Sequence, residues 1–211
     1  MHLDKEALDA HESRWRAQLI NAVAGFKPVN LIGTIDDQGR TNLAIITSVV
    51  HLGANPPLLG MVIRPSPKGV ERHTLNNILD TGAFSVNAVT EDMVPQAHQT
   101  SARYSGETSE FEATGLTPRW IDGRREPFVA ESPLQIGLSL LEHLPLKHNG
   151  THFIIGNIDC IDIPDNAVAD DGTVDLGALR LVTACGLDTY HSVGSGTRFA
   201  YAKPDQPPRP I

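Results

Sequence analysis

From Leu134 to Leu140 the chain alternates without a break. Leu134, Ile136, Leu138 and Leu140 fall on one side of an extended backbone, with Gln135, Gly137 and Ser139 on the other. A period of two is a strand signal and is incompatible with a helix there. Within 133–142 it joins five other strand-like segments: VNLIGTI from Val29, TNLAIITSVV from Thr41, 57–63, 83–89 and 152–163. Asp36-Asp37-Gln38-Gly39 supplies the turn that joins the first two into a hairpin. Helical spacing is confined to one helix over 4–25, carried by Leu8, Trp15, Leu19 and Ala22, and to short stretches near 73–81, 91–102 and 175–180. Those are too few to alternate with six strands, which disfavours a doubly wound parallel sheet. Six strands with one apolar face each predict an antiparallel, Greek-key-like sheet closed on itself, which leaves no exposed edge. The expected fold is mainly β, a barrel with peripheral helices.

The 211 residues suit one such domain at about 150 residues per domain, with an extension. We divide them into a helical lead-in at 1–26, the barrel at 27–203 and a tail at 204–211. Four prolines in that tail predict an extended segment or linker. A net charge of -8, from 25 acidic against 17 basic residues, argues against a nucleic-acid partner, since phosphate neutralisation needs a basic face. No apolar run approaches the ~20 residues of a membrane span, so no membrane partner is expected. The charged start MHLDKEALDAHESRWR has no leader-like apolar core, and Cys160 and Cys185 lack paired spacing. These features predict a cytoplasmic protein with two buried thiols. His148 and His152 are separated by Gly150, so they form no helical metal pair, and no metal site is expected.

One loop breaks the acidic balance. From Arg64 to Arg72 it carries Arg64, Lys68 and Arg72 against the single acid Glu71, and it follows an apolar strand. Thr74 is placed to cap the helix that continues through Ile78. Cations, hydroxyls and helix N–H groups at a strand-to-helix junction suffice to hold a phosphate monoester. A second polar stretch, Asn42 to Ser48, could present backbone groups with Thr47 and Ser48 to the edge of a flat heterocycle. A third, Ala97-His98-Gln99-Thr100-Ser101, closes a helix.

In order along the chain, NLAIITSVVHLGANPPLLGMVIRP at 42–65, RHTLNNILDTGAFSVN at 72–87 and AHQTSARYSGETSEFEATGL at 97–116 resemble the flavin reductase family with the FMN-binding split-barrel fold. NGTHFIIGNI at 149–158, GLDTYHS at 186–192 and RFAYAKP at 198–204 extend the likeness from about Lys27 to Pro204. The resemblance implies a small antiparallel barrel, a homodimer, and FMN near the subunit interface. It implies ring contacts at Asn42, Ala44, Thr47 and Ser48. Phosphate or ribityl contacts are implied at Arg64, Lys68, Thr74 and Asn77, with further contacts at Gln99, Thr100 and Ser101. The phosphate cluster is the part reached independently from residue chemistry.

The implied activity is hydride transfer from NADH or NADPH through bound FMN to free flavin or another acceptor. The flavin supplies the difficult chemistry, which explains why no acid–base dyad or nucleophile is legible. Many members associate Gly-Asp-His before a strand with nicotinamide binding. Here Gly150-Thr151-His152 keeps the histidine, a nicotinamide-contact candidate, and replaces the acid. That departure leaves open a second reading, an FMN-binding electron-transfer carrier without its own nicotinamide site.

Overall fold

The computed structural model describes residues 1–66 and 71–211. The lead-in is two helices, α1 (Lys5–Ala10) and α2 (Ser13–Val23), where one was expected. Asp4 caps α1 by accepting the Ala7 N–H at 2.8 Å. His11 is extended, with φ -77° and ψ 153°. The Arg16 guanidinium donates to the carbonyls of Asp9 and His11, groups that a continuous helix would bond internally. Neither helix contains a buried residue.

After β1 (Lys27–Pro28), the hairpin of β2 (Asn30–Ile35) and β3 (Thr41–Ile46) forms as its turn chemistry predicts. Asp36 Oδ1 accepts the N–H groups of Gln38 and Arg40 at 2.9 and 2.8 Å, and Gly39 takes the left-handed φ of 83°. The expected strand through Val50 breaks after Ile46, and β4 (Val50–Ala54) starts a separate hairpin with β5 (Pro57–Ile63). In the gap, the Ser48 hydroxyl donates to the Val62 carbonyl at 2.8 Å and lies 3.2 Å from its N–H. A side chain thus serves β5 where a strand would otherwise pair.

The chain continues through α3 (His73–Thr81), β6 (Ala83–Ala88), α4 (Val94–Gln99), α5 (Glu110–Thr114), β7 (Pro118–Arg119) and β8 (Phe128–Val129). Strands β9 (Gln135–Leu146), β10 (Thr151–Asp162), β11 (Val182–Cys185) and β12 (Thr189–Ser192) complete it. The expected helix near 175–180 is a series of turns. There the Asp175 carboxylate takes the Ala178 N–H at 3.0 Å, and Arg180 adopts a φ of 54°.

The main sheet has seven strands in the order β3-β2-β6-β9-β10-β5-β4, and every pairing is antiparallel. Ile32 of β2 and Met61 and Ile63 of β5 share one buried cluster with Phe84, Leu138, Ile154 and with Leu75 and Ile78 of α3. Three strands separate β2 from β5 in the sheet, so these side chains meet because the sheet curls around α3. A second cluster on the other face joins Leu31, Leu43, Val89, Phe111, Val129 and Ala184. The mainly β, barrel-like architecture therefore holds, but backbone pairing does not close it.

The end strands β3 and β4 are not hydrogen-bonded to each other. Side chains cover the edge of β3 instead. The Leu43 N–H donates to Glu110 Oε2 at 2.9 Å, the Ile45 N–H to Thr100 Oγ1 at 3.0 Å, and the Thr41 and Ser109 hydroxyls bond at 2.7 Å.

The strictly alternating segment also departs from a half-solvated strand. Gln135 and Gly137 are buried beneath the loop that carries β8. Gln135 Nε2 donates to the carbonyls of Val129 and Ser132 at 2.7 and 3.0 Å. A Cβ on Gly137 would lie 2.7 Å from Cys160 Sγ and 3.0 Å from Glu126 Oε1, so this position has no room for a side chain. The proline-rich tail folds back: the Ala200 N–H donates to the Arg209 carbonyl at 2.9 Å, and the Ile211 N–H to Arg198 at 3.0 Å. No helix among the described residues is long and apolar enough to cross a membrane.

Candidate functional site

The break between β3 and β4 opens a cleft of about 790 Å³, within the range of small-molecule and cofactor sites. Its walls are the end of β3 with the 47–48 break, the end of β5, the N-terminus of α3, the 98–106 segment and the loop between β11 and β12. Asn42, Ala44, Thr47, Ser48, Arg64, Thr74, Thr100 and Ser101 all line it. The structure thus brings together side chains from four segments of the sequence.

The other candidates fall elsewhere. Asn77 is buried behind the wall, and Gln99 is not itself in the lining but donates from Nε2 to the hydroxyl of Tyr104, which is, at 2.9 Å. Lys68 lies outside the described residues. His152 lies on β10 opposite Ile63 and does not line the cleft. Its ring stacks on His143, with Nδ1 and Nε2 at 2.7 Å. Burial, then the neighbouring His143, holds its imidazole below the ordinary histidine range. Thr151 opens β10, and its N–H and hydroxyl reach back to Asn149 Oδ1 at 3.1 and 2.7 Å. Gly156, five residues on, faces Phe84, whose Cζ would sit 2.6 Å from an added Cβ.

Thr74 is not the cap of α3. The N-cap is Arg72, whose side chain makes no capping bond, and the first backbone donor to it is Asn76 at 3.0 Å. The N–H groups of His73, Thr74 and Leu75 therefore have no intrahelical acceptor and make up the positive end of the helix dipole. Thr74 is 7% exposed, and its Oγ1 accepts from Asn42 Nδ2 at 3.0 Å. Asn42 also donates to Thr34 Oγ1 at 3.3 Å, and Asn77 Nδ2 reaches the same oxygen at 3.1 Å. This buried knot of two amides and two hydroxyls pins the first turn of α3 to the β2–β3 hairpin.

Locally the cleft is cationic despite the acidic chain. Arg64, Arg72 and Arg103 line it with His73 and His98, against the carboxyls of Glu71 and Glu110. Arg64 is steadied by Asn21 Oδ1 of α2 at 2.6 Å. On the opposite wall, the Tyr190 hydroxyl and His98 Nδ1 are 2.8 Å apart, and burial, then Asp188, pushes the Tyr190 phenol up. Among the aromatics of the loops, Tyr104 and Tyr190 line the cleft, whereas Trp120 and Phe199 do not. His191 faces a smaller groove of about 360 Å³ beside α2. Glu110 is among the lining residues that sequence reasoning missed: its partner Leu43 lies 67 residues away, and no local pattern announces the contact.

The model of the family described as "Flavin reductase like domain" matches residues 26–175. A candidate flavin reductase with a split barrel domain from Shewanella frigidimarina is 51% identical. The match covers 96% of this chain and all of that one, with a TM-score of 0.92. Flavoredoxin of Desulfovibrio vulgaris is 26% identical over 85% of this chain and 91% of its own, with a TM-score of 0.68. A curated relative of uncharacterised function from Halalkalibacterium halodurans is 29% identical over 198 residues, 92% of this chain and 93% of its own. With a split seven-stranded antiparallel sheet and a cation-lined cleft at its break, the chain belongs to the flavin reductase like domain family and is a flavin-related oxidoreductase of split-barrel fold.

Proposed function

We propose that the cleft binds FMN and that the protein is an NAD(P)H-dependent flavin oxidoreductase. The observation that carries this reading is the uncapped N-terminus of α3, which lines, together with Arg64, Arg72 and Thr74, a cleft walled by β3. Free N–H groups and guanidinium groups anchor the phosphate. The β3 end and the Thr47–Ser48 break flank the ring, with Ala44 small enough to allow close approach. Bound there, FMN would supply the hydride and electron chemistry between nicotinamide and acceptor, and the chain's residues would bind, orient and shield it. His73, beside Gly106, and Tyr104 lie on the side where the 101–106 loop covers the site.

The test is the absorption spectrum of the purified or FMN-reconstituted protein, followed by turnover with NADH and NADPH in excess FMN. Flavin bands and turnover with one donor are expected; colourless protein that takes up no FMN would remove the reading. A second reading, an FMN electron carrier without its own nicotinamide site, is favoured by Thr151 in the place of the acid and by His152 standing outside the cleft lining. Yellow protein that is inert to both donors would select it.

We also infer a homodimer. Val50 and Leu52 of β4 and Leu141, Leu144 and Leu146 of β9 are exposed at 38–59%, more apolar strand surface than a solvated monomer usually shows. Light scattering should give twice the chain mass at micromolar concentration, and a monomer there overturns the inference.

A further inference from the structure

This inference rests on the FMN reading of the cleft. We propose that the Glu110 carboxyl, in its neutral form, donates a hydrogen bond to the phosphoryl end of the bound flavin while accepting one from the Leu43 backbone. Glu110 is 7% exposed yet lines the cleft, together with His73 and Thr74 of the α3 N-terminus. Its Oε2 accepts the Leu43 N–H at 2.9 Å, and the residue's own backbone N–H also bonds the carboxyl. The strand edge thus fixes one oxygen, and no side chain among the described residues donates to the carboxyl, which leaves its cleft side to a ligand. The mounting is rigid. Ser109 bonds Thr41 at 2.7 Å, and the Thr114 hydroxyl donates to the Glu110 carbonyl at 2.6 Å.

Charge decides the protonation state. An ionised Glu110 would face a phosphate group across a desolvated wall, like charge against like, whereas a neutral carboxyl can donate to it. Burial pushes this carboxyl above the ordinary range, and the Leu43 N–H, its own backbone N–H and nearby His73 pull the other way without overcoming it. The ionisable neighbours on the elements around it are His73 of α3 with Arg72 and Glu71 before it, His98 of α4, and Arg103 and Tyr104 of the following loop. β3 contributes none, and Glu107 of the same loop is engaged by Arg40 at 2.9 Å. Because the group's pKa is raised, its donor function is present at low pH and lost as pH rises through that pKa.

Glu110→Gln keeps an acceptor for Leu43 and a donor for the ligand, but it cannot ionise. Glu110→Ala keeps neither. FMN dissociation constants of the full chain are measured by fluorescence titration from about pH 5 to about pH 9, with thermal melts at each pH. At low pH, E110Q should bind within about twofold of the parent. Towards high pH the parent should weaken by about tenfold relative to E110Q, while E110A binds more weakly throughout. A parent and E110Q with superimposable pH profiles, or an E110A as tight as the parent, overturns the assignment. Should E110A fail to fold, the E110Q profile still decides. Parent protein that binds no FMN at any pH would instead remove the FMN reading itself.

Discussion

Thr74→Val should weaken FMN binding by about ten- to a hundredfold. The Thr74 oxygen already accepts from Asn42, so its hydroxyl proton is free to donate, and no described residue takes it. In a cleft that collects cations and uncapped helix N–H groups, that proton has a phosphoryl oxygen as its natural acceptor. Hydrogen bonds to charged groups contribute about 1.5–3 kcal/mol, and about 1.4 kcal/mol corresponds to tenfold in affinity. Valine matches threonine in shape but also strands one Asn42 donor, so stability should fall by about 1–3 kcal/mol. Melts run beside fluorescence titrations separate the two losses. Thr74→Ser, which restores the hydroxyl, should recover most of the affinity. A valine variant that is folded and binds FMN like the parent removes the α3 N-terminus from the phosphate site.

Arg124→Ala should be the most damaging single change away from the cleft. Glu126 is fully buried, and its Oε1 accepts the Arg124 Nε–H at 2.8 Å and lies 2.7 Å from Nη2, which makes no hydrogen bond. The same guanidinium reaches Asp159 Oδ2 at 2.6 Å, an oxygen that Ser139 also donates to. Burial raises the Glu126 carboxyl above its ordinary range, and the arginine's bonds only partly offset this. At Asp159 burial acts in the same direction, but the bonds from Ser139 and Arg124 prevail and hold it low. Removing one partner of a buried pair costs about 3–5 kcal/mol, since the remaining charge stays uncompensated. For a chain this long that is about 6–20 °C in Tm.

The cost should depend on pH in a definite direction. With a raised folded-state pKa, Glu126 favours folding when protonated. The variant should therefore lose stability as pH rises from about 4.3, the unfolded glutamate value, through the raised one. Adding Glu126→Gln should recover part of the loss at neutral pH. A variant that melts with the parent at every pH would show the pair to be energetically idle.

Much of the barrel was legible because its signals are local. The β2–β3 turn follows from Asp36 and Gly39, and α3 follows from apolar residues at helical spacing between His73 and Thr81. Where expectation failed, a side-chain contact outside the local periodicity intervened. Helix 4–25 breaks because Arg16 captures the carbonyls of Asp9 and His11. The strand after Ile46 ends because Ser48 bonds to Val62, fourteen residues on. Gln135 and Gly137 read as a solvent face but are covered by the loop 117–132, which no periodicity could reveal.

The candidate site divides in the same way. The cationic loop from Arg64 and the hydroxyl of Thr74 are readable as phosphate chemistry because residue type and a strand-to-helix junction suffice. The knot of Thr34, Asn42, Thr74 and Asn77 is not, since its members come from three elements and meet only when α3 docks.

The alternation from Leu134 to Leu140 by itself determined a strand, and with the other strand segments an antiparallel, barrel-like sheet, because a period of two is a property of the local chain. Only the tertiary structure decided that this sheet stays open between β3 and β4 and that the alternating strand buries residues of both faces, Leu138 on one and Gln135 and Gly137 on the other. It alone decided that Glu110, Thr100 and Ser48 occupy the backbone groups left at the break. Which side chain meets an edge N–H is set by how separate segments pack, and that information lies in no single stretch of sequence.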